Sequence, residues 1–163
     1  MRVYRLSHRL ALQRNPHPFI PTPGQARWNS AGVRVAYTSE HPALVAMEIL
    51  AYWHNYPTLS GYRLFSLTLP DGSVEHVPTT IDIHDYAQTR PFGDLWVREA
   101  RSLALAVPSV VVPLSTNYLI NPAHAGFANL TYTDHGEFAY DGRVQNLLAT
   151  AQTHKGPGGQ ERE

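Results

Sequence analysis

The chain has 163 residues, a formal net charge of zero and no cysteine. This length suits one domain with its own core. A net charge of zero lacks the excess of basic residues that is typical of a nucleic-acid-binding protein. The absence of cysteine excludes disulfides and thiol chemistry. No apolar run approaches the roughly 18 residues that cross a bilayer, and the first residues contain no apolar signal region. We therefore expect a single-domain cytoplasmic protein that contacts neither membrane nor nucleic acid directly.

The first part of the chain predicts short strands around a proline-rich loop. Residues 2–6 alternate like an opening strand, in which Arg5 shares a face with Val3. The prolines between residues 14 and 24 exclude helix and strand there and predict an extended loop. The next segments, 26–29 and 33–38, are expected to pair as a β-hairpin around Ser30-Ala31-Gly32. That register would bring Arg27 onto the face of the sheet that carries Tyr37.

A helix with a single charge follows the predicted hairpin. Residues 39–42 combine a hydroxyl that can cap a helix with a proline suited to its first turn. The predicted helix extends to residue 53 or 54, ends before Pro57, and from residue 43 onward is apolar except for Glu48. A helix that is hydrophobic on all sides belongs in a core, and a buried glutamate requires a partner. Glu48 therefore either forms a structural pair, such as with an arginine, or opens onto a cleft.

The second part of the chain is rich in short strands. A strand over residues 62–69 ends in a Pro-Asp-Gly turn, and residues 94–100 are predicted to form a short helix. The most β-rich run is 103–113, in which Pro108 predicts an edge position or a bulge, with Ser109 at the irregularity.

The remaining segments complete an α+β domain. Residues 117–120 predict another strand, and 128–140 predict a hairpin that turns at 133–136. The polar, glycine-rich tail, 150–163, is predicted to be disordered, which leaves residues 1–149 as one domain. Many short strands with one well-defined helix predict the α+β class.

Common catalytic and metal-binding motifs are missing from the sequence. It contains no G-x-S-x-G elbow, phosphate-binding P-loop, H-E-x-x-H or dinucleotide fingerprint. The densest group among the nine histidines and the acidic residues is Asp82, His84 and Asp85. Its spacing matches no recognised ligand set, so we predict surface polar residues there and no metal site.

Four motifs follow one another along the chain. They are G-x-x-R-W-N-x-x-G (24–32), V-A-Y-T-S-E-H-P-A-L-V-A-M-E (35–48), V-P-S-V-V-V-P (107–113) and N-Y-L-I-N-P-A-H (117–124). In this order they resemble the RES-domain family, the toxin components of bacterial RES–Xre toxin–antitoxin modules. The resemblance covers roughly residues 2–140, and four motifs in the right order are far more specific than any one of them. The family's usual G-G-R-W-N reads here as Gly24-Gln25-Ala26-Arg27-Trp28-Asn29.

The resemblance implies a fold and a set of site residues. RES proteins resemble ADP-ribosyltransferase-like enzymes, with a split β-sheet core, few helices and NAD held in the cleft. The family's arginine, tyrosine, glutamate and serine correspond to Arg27, Tyr37, Glu48 and Ser109, which the resemblance implies as catalytic residues. Ser115 is the weaker alternative for the serine, because the Pro-Ser dipeptide is the part of the motif that matches.

Each implied site residue has a chemically reasonable role in binding or cleaving NAD. An arginine fork suits the pyrophosphate, and a tyrosine ring offers a flat face to nicotinamide. A carboxylate suits the positive charge that develops on the ribose as the glycosidic bond breaks. The implied NAD-binding residues are Arg5, Arg27, Asn29, Tyr37 and Asn117.

The resemblance also implies an activity and a partner. Family members degrade NAD by hydrolysis or phosphorolysis, with phosphate as co-substrate in the second case and no metal in either, and such a toxin arrests growth. The alternatives are a mono-ADP-ribosyltransferase that modifies a host protein and a non-catalytic module that binds its antitoxin. The implied partner is an Xre-like antitoxin, with a homodimer inside the toxin–antitoxin complex as an open alternative.

Overall fold

The structure is a computed structural model that describes residues 1–52 and 59–153. In the described part, no helix is both long and apolar enough to span a membrane. A short 3₁₀ helix covers Ala125–Asn129. The other elements are, in chain order, β1 (Arg2–His8), α1 (Arg9–Arg14), β2 (Ala36–Ser39), α2 (Pro42–Ala51), β3 (Tyr62–Thr68), β4 (Val74–His76), α3 (Tyr86–Glu99), β5 (Ala104–Pro108), β6 (Thr116–Ile120), β7 (Tyr132–Phe138) and α4 (Gly142–Thr153).

The strands form a mixed seven-stranded sheet in the order β4-β5-β6-β2-β1-β3-β7. Strands β1 and β3 pair along their whole length, from Arg2 opposite Thr68 to His8 opposite Tyr62. The ladder between β1 and β2, in contrast, consists of the single pair Tyr4 and Ser39. The sheet thus has two halves joined at a narrow seam, which confirms the predicted α+β domain with a split sheet.

Helices α2 and α3 cover one face of the sheet in two separate places, and Leu12 of α1 packs on the opposite face. The opposite face carries one large apolar cluster, which includes Val3, Ala36 and Ile120. On the helix-covered face, Trp28 and Trp96 pack over the β5–β6 half, whereas Val45 of α2 packs with Leu6 and Tyr62. Because cross-strand partners share a face, Ser39 and its neighbours lie between these two clusters. The site described below occupies that position.

The predicted hairpin over residues 26–38 is wrong. Residues 26–29 form no strand, and β2 pairs instead with β6 along its four residues and with β1 at one residue pair. Polar side chains of α3 satisfy the backbone of that segment instead. Arg90 Nε donates to the carbonyl of Ala26 (3.0 Å), and Thr89 Oγ1 donates to the carbonyl of Arg27 (2.6 Å). Asp94 Oδ1 accepts from the backbone amide of Ser30 (2.9 Å).

The start of α2 agrees only in part with the prediction. Pro42 lies in its first turn, as expected. The predicted hydroxyl cap is wrong, because the residue at the N-cap is His41 and the Ser39 hydroxyl bonds to Asn117 on the neighbouring strand (2.6 Å). Within the described residues α2 extends to Ala51, and its predicted end at residues 53–57 lies outside them.

Helix α2 is much less buried than its composition predicts. Leu44 and Val45 are its buried residues, whereas Met47 is 45% exposed. The expectation of a core helix is wrong because α2 packs with one face only, against β1 and β2 at the seam of the sheet. Ala46 and Ile49 are half-buried against the same cluster as Val45, whereas Ala43 and Ala51 are exposed, like Met47.

In the second half of the chain, the positions of the strands were predicted better than their neighbours in the sheet and the length of α3. Strands β3 and β6 occur where predicted, whereas β5 covers only Ala104–Pro108 of the predicted run 103–113. It lies between β4 and β6 and is not an edge strand. Pro108 is its last residue, so the irregularity at Ser109 is the end of the strand. Helix α3 is twice the predicted length, because it starts at Tyr86 and accommodates Pro91.

The last predicted elements also differ. The hairpin over residues 128–140 is wrong, because β7 is one strand that pairs with β3. Its turn-like Gly136, at φ 89°, lies beside a register shift in that ladder, so the glycine accommodates a bulge. Residues 150–153 of the predicted tail belong to α4, and residues 154–163 lie outside the described part.

Candidate active site

One oxygen of the Glu48 carboxylate is fixed from two directions. Its Oε1 accepts hydrogen bonds from Ser109 Oγ (2.7 Å) and Asn117 Nδ2 (2.5 Å). Asn117 is itself oriented by Ser39, whose hydroxyl donates to its Oδ1 (2.6 Å). The network joins α2, β2, β6 and the residue after β5, so it forms only in the folded chain.

The Ser109 hydroxyl has a defined direction. Its oxygen accepts from the backbone amides of Val111 (3.1 Å) and Val112 (3.0 Å). Both lone pairs are then occupied, and the one O–H is left to point at Glu48. Ser115 takes part in the same loop through its backbone, with its carbonyl accepting from Ser109 N (2.8 Å). Of the two candidate serines, Ser109 is therefore the one that contacts the carboxylate.

The other carboxylate oxygen of Glu48, Oε2, makes no hydrogen bond to residues 1–52 or 59–153, and no arginine in those ranges forms an ion pair with Glu48. The side chain is half-buried. Within the described residues, the partners of this carboxylate are thus a hydroxyl and an amide, and neither neutralises its negative charge. Of the two alternatives that the sequence left open, a structural pair with an arginine does not occur among these residues, and the half-buried side chain keeps access to solvent.

A second group of predicted site residues forms around Tyr37. Its hydroxyl donates to Asn29 Oδ1 (2.8 Å) and accepts from the backbone amide of Trp28 (3.1 Å). Burial raises the pKa of Tyr37 well above its ordinary value, and this outweighs the hydrogen bond from Trp28 and the nearby charges of Arg27 and Arg90, which lower it. The phenol is therefore neutral at physiological pH and holds the segment around Arg27 in place.

The two predicted arginines are oriented by backbone carbonyls. Arg27 donates through Nη1 to Ile83 O (2.8 Å) and through Nη2 to the Tyr86 hydroxyl (3.2 Å). Arg5 donates through Nε to Pro18 O (2.8 Å) and through Nη1 to Tyr37 O (2.7 Å). Arg5 thus connects the proline-rich loop with β2 next to the seam, while Arg27 lies over the start of α3.

Strand β2 connects the carboxylate group with the arginine group. Tyr37 and Ser39 are two residues apart and share a face, so their Cα atoms lie about 7 Å apart along the strand. Tyr37 belongs to the group around Arg27, and Ser39 to the group around Glu48. The site is therefore elongated, with guanidinium groups at one end and a carboxylate at the other. That polarity suits a ligand that is anionic at one end and cationic, or becoming cationic, at the other.

Sequence patterns missed three contributors to these two groups. Ser39 was interpreted as a helix cap, and Tyr86 and Arg90 lie in a region for which no element was predicted. The i, i+4 spacing of Tyr86 and Arg90 was the available signal.

Among the described residues, no three His, Asp or Glu side chains come together to hold a metal ion. Asp82 and Asp85 instead accept from the backbone amides of His84 (2.9 Å) and Ala87 (2.8 Å).

Comparisons with known proteins agree on the kind of domain. A family model described as the RES domain matches residues 2–141. A protein named Toxin Res from Yersinia enterocolitica is 31% identical over 126 residues, which cover 73% of this chain and 83% of that protein. A protein named Prs ADP-ribosylating toxin from a Sphingobium species is 30% identical over 127 residues, with 72% and 79% covered.

A solved structure has the same fold. The crystal structure of the M. tuberculosis MbcT–MbcA toxin–antitoxin complex contains a chain that superposes with a TM-score of 0.59, at 14% identity, over 91% of this chain and 88% of that one. At this identity the likeness concerns the fold alone.

Proposed function

This chain belongs to the RES-domain family, and from that premise we propose that it cleaves the bond between nicotinamide and ribose in NAD. The observation that carries the proposal is the Glu48 carboxylate, with Oε1 fixed by Ser109 and Asn117 and Oε2 directed to no partner in the described chain. A charged oxygen held ready in a half-buried cleft is what stabilisation of a cationic transition state requires.

The chemistry follows from the charge on the substrate. The nicotinamide ring of NAD is cationic and leaves as a neutral molecule, so its departure needs no proton donor. Positive charge then appears on the ribose, as in glycoside cleavage. Glu48 Oε2 can bond a ribose hydroxyl and face that charge, and the contact strengthens as the bond breaks. With water as acceptor the products are nicotinamide, ADP-ribose and one proton.

The other site residues bind and orient the substrate in this proposal. Arg27 retains N–H donors beyond the two that it uses on Ile83 and Tyr86, and these suit the pyrophosphate. Tyr37 offers its ring face to nicotinamide, and Asn117 holds the Glu48 carboxylate. Asn29 is 3% exposed and acts indirectly, by accepting from the Tyr37 hydroxyl. Arg5 supports this arrangement by holding the Tyr37 carbonyl.

Three acceptors can complete the reaction. Water gives hydrolysis and phosphate gives phosphorolysis, and we favour these two. Transfer to a protein side chain is the second candidate, supported by the relative named Prs ADP-ribosylating toxin. A non-catalytic antitoxin-binding module is the remaining alternative, and the intact Glu48–Ser109–Asn117 network argues against it.

We further propose that the chain is the toxin of a toxin–antitoxin module and acts in the cytoplasm, where NAD is abundant. The names of its relatives and the toxin–antitoxin complex formed by its structural neighbour support this assignment. An Xre-like antitoxin is the proposed partner, and a homodimer inside that complex is the proposed assembly.

Incubation of the purified chain with NAD tests the activity. We expect loss of NAD and release of free nicotinamide, with ADP-ribose as co-product without phosphate and a phosphorylated ADP-ribose if phosphate is the acceptor. Labelled NAD that appears on a host protein would assign the transferase. NAD that stays intact under all three conditions, with and without phosphate and with host extract, would contradict the enzymatic proposal.

Replacement of Ser109 by alanine should lower activity less than loss of the carboxylate does. Ser109→Ala removes one hydrogen bond to the charged Glu48, and a bond to a charged group is worth about 1.5 kcal/mol or more, so we expect a kcat at least roughly tenfold lower. The matched control is Ser115→Ala in the same loop, which should behave like the parent chain. Equal losses in the two variants would contradict the role of Ser109 in positioning Glu48.

A further inference from the structure

A second guanidinium group lies beside Arg27. Arg27 Cζ is 4.6 Å from the centroid of the Tyr86 ring, and Arg90 Cζ is 4.5 Å from the same centroid. Tyr86 and Arg90 are one turn apart on α3, so helix geometry places them on the same face. The Cζ atoms of the two cations are thus at most about 9 Å apart, which is close to the screening length of about 8 Å at physiological salt.

No carboxylate among residues 1–52 and 59–153 forms an ion pair with Arg27 or Arg90. The nearby Asp94 instead accepts from the backbone amide of Ser30 (2.9 Å). Arg90 donates through Nε to Ala26 O (3.0 Å), and the Gln25 amide, with its oxygen turned toward Arg90, accepts from Nη1 (2.8 Å) and Nη2 (2.9 Å). Neutral partners therefore orient both guanidinium groups, and within the described residues neither group has a direct ion-pair partner.

Two oriented cations without a direct ion-pair partner, in contact with one ring, favour an anion that both can reach. Each guanidinium has five N–H donors, and the contacts above use two on Arg27 and three on Arg90. The remaining donors suit the oxygens of a phosphate. Both residues are half-buried, and Tyr86 between them is 43% exposed, so the position is accessible to a ligand.

We infer that Arg90, together with Arg27 and Tyr86, forms the binding site for the diphosphate of a dinucleotide. The inference rests on the proposed NAD cleavage and deepens it by adding Arg90 and Tyr86 of α3 to the site. Strand β2 sets the spacing: its Tyr37 borders the arginine group, and Ser39, about 7 Å further along, borders the carboxylate group. That separation leaves room for one ribose between the diphosphate and Glu48.

The test is the binding of ADP, which carries the diphosphate but has no bond to nicotinamide to break. Calorimetric titration of the folded chain with ADP should show that Arg90→Gln weakens binding roughly tenfold to a hundredfold, because it removes charge-assisted hydrogen bonds. Arg90→Lys should give an intermediate loss, since it keeps the charge but not the fork. The control is Arg98→Gln, an exposed basic residue on the same helix, which should bind ADP like the parent.

Two further readouts separate binding from folding. The ADP affinity of Arg90→Gln should depend less steeply on salt than that of the parent, which a purely structural role would not change. Cleavage of nicotinamide riboside, which has no diphosphate, should proceed equally in Arg90→Gln and the parent, whereas kcat/KM for NAD should fall. If Arg90→Gln fails to fold, the ADP affinity and the kcat/KM for NAD of Arg90→Lys and Tyr86→Phe are compared with those of the parent instead.

Failure of this inference and failure of the proposed function give different results. ADP binding that depends on Arg90 in a chain that leaves NAD intact would support the anion site and contradict NAD cleavage. NAD cleavage with ADP affinity unchanged in both Arg90 variants would overturn the diphosphate site and leave the activity standing. A parent chain that does not bind ADP at millimolar concentration would overturn the site as well.

Discussion

Glu48→Gln is expected to lower kcat for NAD cleavage by roughly two to four orders of magnitude, on the scale known for loss of a preorganised electrostatic group. The variant removes the negative charge but keeps the size of the side chain. The glutamine oxygen can still accept from Ser109 and Asn117, as Oε1 of Glu48 does (2.7 and 2.5 Å). We therefore expect unchanged folding and a nearly unchanged affinity for NAD, because the lost interaction is made mainly in the transition state.

The matched control for Glu48→Gln is Glu40→Gln. Glu40 lies just before the same helix and accepts from the backbone amide of Thr116 on β6 (2.9 Å), and a glutamine oxygen can keep that bond. Release of nicotinamide, followed in single turnovers, should be close to that of the parent for Glu40→Gln and almost abolished for Glu48→Gln. In cells, the first variant should still arrest growth and the second should not. Undiminished turnover in Glu48→Gln would refute the role of the carboxylate.

Gly93→Ala is expected to lower the free energy of unfolding by about 3 kcal/mol, at the upper end of the range for overpacked cores. A Cβ atom at position 93 would lie 1.8 Å from the carbonyl oxygen of Trp28. Both groups are attached to backbone, so no change of rotamer removes the clash, and α3 has to move away from the segment that carries Arg27. The same movement disturbs the bond from Thr89 Oγ1 to Arg27 O (2.6 Å).

Urea unfolding monitored by tryptophan fluorescence measures this loss, since Trp28 and Trp96 are both buried beside Gly93. The matched control is Gly142→Ala at the start of α4, where a Cβ would meet nothing within 4 Å and alanine favours helix. We expect Gly142→Ala to be neutral or slightly stabilising. In whatever fraction of Gly93→Ala folds, substrate affinity should also fall, because the position of Arg27 depends on this contact. A stability equal to that of the parent would show that the contact is not rigid.

Local patterns predicted the strands well and their partners poorly. Alternation identified β1, β3 and β6 almost to the residue, because it reports which side chains face a core. The two predicted hairpins are wrong for a common reason. Turn-forming residues indicate where a chain bends, but they do not indicate which element the following segment contacts. Ser30-Ala31-Gly32 bends a segment that α3 holds, and Gly136 accommodates a bulge in a strand that pairs with β3.

The grouping of the site residues could be predicted only in part. The lone charge of Glu48 in an apolar helix was visible in the sequence, and the family motifs supplied Arg27, Tyr37 and Ser109. The structure places Glu48 with Ser109, and Tyr37 with the segment around Arg27. It also assigns Ser39 to the carboxylate network, whereas its position just before the helix predicts that its hydroxyl caps the helix.

The class of domain, the position of most strands, the family and one unusual carboxylate could all be predicted from the amino-acid sequence. These properties depend on composition, periodicity and motifs, which are local. The folded chain was needed to see that Glu48 bonds to a hydroxyl and an amide, that α2 is half exposed, and that Arg90 lies beside Arg27. The reason is physical: hydrogen bonds and charge contacts act over a few ångströms of space, and the residues that make them here are tens of positions apart in the chain.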